Sequence, residues 1–291
     1  MDKVGDLIAK QSWLKPAEDA LGAIAEGLLA PLGRNVRNFL HGVWLGHPFH
    51  PVLTDIPVGA WTAAAALDTY ELLTGDKRFA SGSDVAVGIG LAGAVAASAT
   101  GLADYSAVFE KPRRVATAHA LFNIAATACY AVSLRQRRNG QRRAGLTTAL
   151  TGYVLSFAGA YLGGHLVFNE RIGVNHAPEE LPWKWMPLMK ESELPARKLC
   201  KAEVDGVPVV AFRADKRIVV MAEKCSHLGG PMSEGKFDGE TLTCPWHFSQ
   251  FDLDGRVVNG PATYAQPCFQ VRVQDGKVEV RRPQGMITNP Y

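Results

Sequence analysis

Apolar residues fill the first half of the chain in long runs and return in the last third as short alternating bursts. Residues 115–134 and 146–168 hold no Asp, Glu, Lys or Arg. Each run is long enough to cross a hydrocarbon layer of about 30 Å, so both are expected to be transmembrane helices. Residues 84–104 are charged only at the ends and carry a face of small residues, Gly88, Gly90, Gly93 and Ala97, suited to close helix contact. Residues 54–74 complete a set of four, but Asp55, Asp68 and Glu71 within them must face other helices or reach the interface. A soluble Ala-rich bundle is the rival expectation, and soluble helices rarely run five turns without a charged face.

The period changes after residue 168. Residues 171–195 are expected to form a linker rich in Pro and Trp (Pro178, Pro182, Trp183, Trp185, Pro187) running along the membrane interface, where Trp is favoured. Two β-rich runs, 207–212 and 218–222, are split by Ala214-Asp215-Lys216, and runs near Val271 and Val278 flank Asp275-Gly276, a hairpin signal. The expected architecture is multidomain: a four-helix α transmembrane bundle over 47–170, the linker, and a small all-β domain over 196–291. Ahead of the bundle, residues 1–46 set Leu21, Ile24, Leu28 and Leu29 at helical spacing, which fits an amphipathic helix lying on the membrane or packed on the protein itself.

Charge narrows the partners. With 291 residues, a net charge of +3 and no Lys/Arg stripe interleaved with aromatics, nucleic acid is not an expected partner. Five Cys, one of them (Cys129) inside an apolar run, do not make a disulfide framework. The first residues spread Asp2, Lys3, Asp6, Lys10 and Lys15 with no compact apolar core, so no signal peptide is expected. Arg135, Arg137, Arg138, Arg142 and Arg143 crowd the short loop between the last two apolar runs, which places that loop on the cytoplasmic side of the inner membrane. In a multi-pass, four-crossing topology Lys77 and Arg78 share that side, and the β domain is expected outside the cytoplasm.

Two of the cysteines carry a motif. Cys225 and His227 form a C-x-H pair, Cys244 and His247 a C-x-x-H pair, with 16 residues between His227 and Cys244. Thiolate and imidazole are natural ligands of iron and zinc, so two loops supply four donors, and a structural zinc site is one reading. The loops CSHLGG (225–230) and CPWHFS (244–249) resemble the signature of Rieske [2Fe-2S] domains, over about residues 183–282. That resemblance implies Cys225 and Cys244 on one iron and His227 and His247 on the other. It also implies a potential of roughly −150 to +300 mV, because neutral imidazoles remove negative charge from the cluster. Rieske domains of cytochrome bc complexes pair C-T-H-L-G-C with C-P-C-H-G-S and tie the loops by a disulfide; Gly230 and Trp246 stand in those places here. The same domains carry a Ser and, two residues on, a Tyr as donors toward sulfur, where this chain has Ser249 and Phe251. The resemblance therefore implies a potential in the lower or middle part of that window. About 40 residues follow His247 and none is His, so a single-chain Rieske oxygenase, with a further iron on two His and a carboxylate, is not expected.

The stretch HPFHPVLTDIPVG (47–59) resembles the HP-x-HP signature of an uncharacterised family of small four-helix bacterial membrane proteins, over about residues 40–170. Independently, four antiparallel crossings set His47, His50, Asp55, Asp104, His119 and His165 on one membrane face, with Asn123 one turn from His119. Haem b, another metal, or a hydrogen-bond network fastening the helices are the three readings of that set. The expected function is a membrane-anchored Rieske-type electron-transfer protein, a one-electron relay embedded in membrane lipid and serving a redox partner protein or quinone. A quinol-oxidising module with haem or metal at the membrane histidines is one alternative, and a redox sensor or assembly factor is another.

Overall fold

The computed structural model describes residues 3–177 and 181–283. Asp2 and Pro178, used above, lie outside the described residues. The chain divides into two compact units, one of Met1–Gly33 with Pro48–Ile172 and one of Arg34–His47 with Gly173–Tyr291. Residues 1–46, read as one piece, are thus shared between the two.

The helices are α1 (Lys3–Ala9), α2 (Lys15–Leu29), α3 (Arg34–His41), α4 (Phe49–Thr74), α5 (Ala80–Tyr105), α6 (Glu110–Arg138) and α7 (Arg142–Phe168). All but α3 belong to the first unit. Within it α4 packs chiefly on α5 and α6 on α7, as antiparallel hairpins. The small-residue face on α5 makes the first pairing possible: a Cβ at Gly90 would sit 2.1 Å from Trp61 Nε1, and one at Gly93 would sit 2.5 Å from Ile56. Gly88, counted on that face, meets nothing. Trp61 of α4 and Tyr130 of α6 stack across the middle, ring centres 4.1 Å apart and 12° from parallel.

The interior combines small apolar residues such as Ala64, Val87 and Ala126 with buried ion pairs, and many large apolar side chains lie on the outside. Arg137, 1% exposed at its side chain, donates to the fully buried Asp68, to Ser83 at 2.8 Å and to Asp84 at 2.9 Å. Arg142 pairs with Glu71 at 2.7 Å. These are the partners that the sequence required for Asp68 and Glu71. Of the loop arginines, Arg135, Arg138 and Arg143 remain exposed. Val52 and Ile56 on α4, Ile89 and Val95 on α5, Phe122 and Ile124 on α6, and Val154 and Phe157 on α7 face outward, the arrangement that a lipid solvent selects. Among the described residues α5 and α6 are long and apolar enough to cross a membrane. Helix α7, expected to be as clear a crossing as α6, is as long but is diluted by Gly, Thr and Tyr, and α4 by its carboxylates. Helix α2 packs through Ala25 and Leu29 and leaves Ile24 and Leu28 exposed.

In the second unit the strands are β1 (Met186–Lys190), β2 (Cys200–Val204), β3 (Val207–Ala214), β4 (Arg217–Ala222), β5 (Lys236–Phe237), β6 (Leu242–Thr243), β7 (Gln250–Phe251), β8 (Val257–Asn259), β9 (Gln270–Gln274) and β10 (Lys277–Arg281). They form three antiparallel sheets, ordered β1-β10-β9, β2-β3-β4 and β5-β6-β7-β8. The β9–β10 hairpin turns at Asp275 (φ 50°) and Gly276 (φ 70°), and the β2–β3 hairpin turns at Asp205 (φ 52°) and Gly206 (φ 80°). Two consecutive positive φ values are what a right-twisted two-residue hairpin needs. Val210, Phe212, Met221, Leu242 and Phe251 centre one core.

The expected linker is corrected here. Residues 186–190 form β1, paired with β10, and a register shift beside Pro187 accommodates the missing donor. Trp185 lies 4.5 Å from the guanidinium carbons of both Arg272 and Arg281, and Trp183 lies 4.7 Å from that of Arg282. Arginines of the β unit therefore hold the tryptophans that were assigned to the membrane interface. Helix α3 joins the same unit: Asn38 Nδ2 donates to Val258 O at 3.1 Å, and Asn38 Oδ1 accepts from Gly260 N–H at 3.0 Å.

Candidate metal centre

Two loops build the site, residues 225–230 after β4 and residues 244–249 between β6 and β7. Each closes on itself. Cys225 N–H donates to Gly230 O and Gly229 N–H to Cys225 O, both at 2.8 Å, while Cys244 N–H donates to Ser249 O at 2.9 Å. Gly229 (φ 78°) and Phe248 (φ 61°) take the left-handed turns that fold the loops back. Gly230 is where the loops touch: a Cβ there would lie 2.9 Å from Cys244 Sγ and 3.1 Å from the Trp246 ring.

The four expected ligands sort into a sulfur side and a nitrogen side. Cys225 and Cys244 are each 1% exposed, and their thiols hydrogen-bond each other, which raises Cys225 far above the ordinary thiol range and lowers Cys244 to about 7. Backbone N–H groups of His227 and Leu228 aim at the first sulfur and those of Trp246 and His247 at the second, a cradle suited to anionic sulfur. His227 Nδ1 and His247 Nδ1 face each other at 3.3 Å with rings at 85°. That is the separation of two nitrogens sharing a metal ion at bonds of roughly 2 Å. Burial, with His247, His41 and His176 nearby, pushes the His227 imidazole down to about 3, and burial lowers His247 too. Neutral imidazoles are what metal ligation requires. A pair of sulfurs and a pair of nitrogens fit a two-iron cluster, two ligands to each iron.

Several supporting residues escaped sequence reasoning. The buried amide of Gln266 accepts from Ser226 N–H at 2.9 Å and donates to Ala222 O and Lys224 O at 2.7 and 2.8 Å, fixing the first loop from 40 residues away. Ser249, expected near sulfur, is buried and accepts from Ala262 N–H at 3.0 Å, which leaves its hydroxyl proton to donate elsewhere. Phe251 is wholly buried in the core. A lone Gln has no spacing to betray it; only the fold brings it to the loop.

The membrane candidates do not form one six-ligand cluster. His50 and His119 meet, ring centres 6.3 Å apart at 88°. His165 turns to Asn169 at 2.9 Å and toward Glu170 at 3.8 Å, and Asp104 is half-buried. Asp55 is exposed, because five residues beyond His50 lies on another face of the same helix. His47 is exposed and belongs to the second unit. Among the described residues no three His, Cys, Asp or Glu side chains gather around one metal position.

Residues 184–270 match the family described as Rieske [2Fe-2S] domain, and residues 46–176 match the family described as predicted membrane protein (DUF2231). The chain joins a Rieske domain to a membrane domain. Over 98 residues it is 26% identical to ferredoxin CarAc of Metapseudomonas resinovorans, which covers 33% of this chain and 92% of the ferredoxin. Over 90 residues it is 34% identical to aminopyrrolnitrin oxygenase PrnD of Pseudomonas fluorescens, covering 31% of this chain and 24% of the oxygenase. It thus spans nearly the whole of a ferredoxin and about a quarter of an oxygenase. Among solved structures, the complex of reduced oxygenase and oxidized ferredoxin in carbazole 1,9a-dioxygenase holds a chain 25% identical, covering 34% of this chain and 94% of that one, with a TM-score of 0.32. The protein is a membrane-associated electron-transfer protein of the Rieske [2Fe-2S] type.

Proposed function

We propose that Cys225 and Cys244 bind one iron and His227 and His247 the other, and that the protein relays single electrons through this cluster from a membrane donor to a partner protein. The observation that carries the ligand set is the pairing of its side chains, two buried cysteines whose loops meet where Gly230 lies against Cys244 Sγ, and two histidine Nδ1 atoms 3.3 Å apart. When bound, the cluster supplies a one-electron redox couple. The surrounding residues hold it dry and set its potential, while the exposed Trp246 and Phe248 flank His247 on the outer side. An oxygenase component is the partner class favoured by the similarity to the ferredoxin component of a naphthalene 1,2-dioxygenase system. The test is electron paramagnetic resonance of the dithionite-reduced full-length protein. Cys244→Ser and His247→Ala should each abolish a Rieske-type signal that the unsubstituted chain shows, and a full signal in either variant would overturn the ligand set.

The membrane unit crosses four times, with the Rieske domain outside the cytoplasm. The exposed Arg135, Arg138 and Arg143 at the α6–α7 turn support that orientation. A cysteine introduced by Lys184→Cys should react with a membrane-impermeant maleimide in intact cells. Reaction only after permeabilisation would reverse the orientation. A quinol-oxidising module is the second reading, favoured by one observation, the facing pair His50 and His119.

A further inference from the structure

The membrane unit repeats itself. On α4 and α6, His50, Trp61 and Asp68 each stand 69 residues before His119, Tyr130 and Arg137, and each pair meets: the imidazoles at 6.3 Å, the Trp61–Tyr130 stack at 4.1 Å, and the Asp68–Arg137 ion pair. On α5 and α7 an interval of 62 relates Gly90, Ala97 and Gly101 to Gly152, Gly159 and Gly163. A Cβ at Gly90 would strike Trp61, and one at Gly152 would lie 3.2 Å from the Tyr130 ring. Ala97 O lies 2.9 Å from His50 Nδ1, and Gly159 O lies 2.8 Å from His119 Nδ1. Gly101 and Gly163 lie flush against the same rings, where a Cβ would be 2.8 and 3.1 Å from the Cε1 atoms. The two hairpins are therefore related by a pseudo-two-fold axis, and the imidazoles face each other across it.

Their chemistry follows from the carbonyls. A carbonyl only accepts, so both Nδ1 atoms carry the proton and both Nε2 atoms keep a lone pair. Fastening one ring nitrogen to a backbone carbonyl is how proteins orient a histidine that binds metal through the other. Asn123 Nδ2 lies 3.3 Å from both nitrogens of His119, a position off the in-plane lone pair of Nε2, and donates to His119 O at 2.9 Å. Thr100 Oγ1 lies 3.5 Å from His50 Nδ1, on the carbonyl side of that ring. Two metal–nitrogen bonds of about 2 Å, with half a ring beyond each, set ring centres roughly 6 Å apart, as they are here. Among the described residues no third side chain joins the pair as a metal-binding group. Two imidazoles on opposite sides of one iron leave four positions in the plane between them, the set that the four pyrrole nitrogens of a haem fill.

We propose that His50 and His119 are the axial ligands of one haem iron on this axis, a second redox centre in addition to the iron–sulfur cluster. The inference uses residues of the membrane unit alone and does not depend on the cluster ligands. The test is the pyridine haemochrome and metal content of the full-length protein purified from membranes, with haemin titrated in where the host loads none. About one haem per chain is expected. His50→Ala and His119→Ala should each lower it at least tenfold with the cluster's paramagnetic signal per chain unchanged, which reports a folded protein. His119→Gly should regain the haem spectrum when imidazole is supplied in the buffer. A bare metal ion bound there instead would overturn haem as the occupant. Unsubstituted protein that neither carries nor takes up haem while its cluster signal is intact would overturn the inference, as would undiminished haem in both alanine variants. Failure of the relay reading shows up separately, as loss of the cluster signal itself.

Discussion

Position 251 isolates one term in the potential of the cluster. Phe251 fills a dry place in the core beside the second ligand loop, two residues after Ser249, and offers no donor. A hydroxyl added there that donates toward sulfur favours the reduced, more negative cluster. A bond of about 1 kcal/mol favouring the reduced form corresponds to roughly 40 mV for one electron. Phe251→Tyr should therefore raise the midpoint potential by roughly 40 mV in a redox titration, at a packing cost of about 1–3 kcal/mol for the extra oxygen in a filled core. An unchanged or lower potential in a folded variant would remove the part assigned to this position. Gly230 sets the opposite kind of constraint, since the loops approach closely enough that any side chain there meets Cys244 Sγ.

At the scale of the elements, Arg137 ties three long helices together. From α6 it reaches Asp68 on α4 and Ser83 and Asp84 on α5, almost without exposure to solvent. Arg137→Leu leaves Asp68 buried and uncompensated, which costs about 3–5 kcal/mol. Adding Asp68→Leu should recover most of that loss, because a buried pair of apolar groups replaces a buried ion pair at little net cost. Thermal unfolding in detergent followed by circular dichroism checks both, and equal losses in the single and double variants would sink the argument. Much at this scale was legible in the sequence. Charge-free runs marked α6 and α7, the carboxylates of α4 demanded buried partners, and Cys/His spacing marked the two loops that meet at Gly230. The 69-residue repeat was not legible, because Trp61 pairs with Tyr130 and Asp68 with Arg137, so the related positions share chemistry across the axis rather than identity. Strand β1 was hidden by Pro187 and by tryptophans that look like interface anchors until Arg272, Arg281 and Arg282 are brought beside them.

For the whole molecule, the composition of the Rieske unit constrains the membrane topology. Helix α3 precedes the long helices and the strands follow them, yet both belong to one compact unit, where Asn38 bonds to Val258 and Gly260. Segments that hydrogen-bond within one compact unit lie on one side of a membrane, so any crossings between residues 47 and 173 must be even in number. Two crossings would use only α5 and α6, the helices of sufficient apolarity, and would leave the outward apolar side chains of α4 and α7 in water. The proposed four crossings would bury them in lipid, where exposed apolar surface is favoured. Parity excludes three whatever the hydropathy of α4 and α7. Val36→Cys on the exposed side of α3 and Lys184→Cys should therefore label from the same side, above the labelling of the unsubstituted chain, whereas Arg138→Cys at the far end of α6 should label only from the other. Opposite behaviour of positions 36 and 184 would break the shared unit. Labelling of position 138 together with them would contradict an odd number of crossings between α6 and the Rieske unit, and the four-crossing arrangement would fall with it.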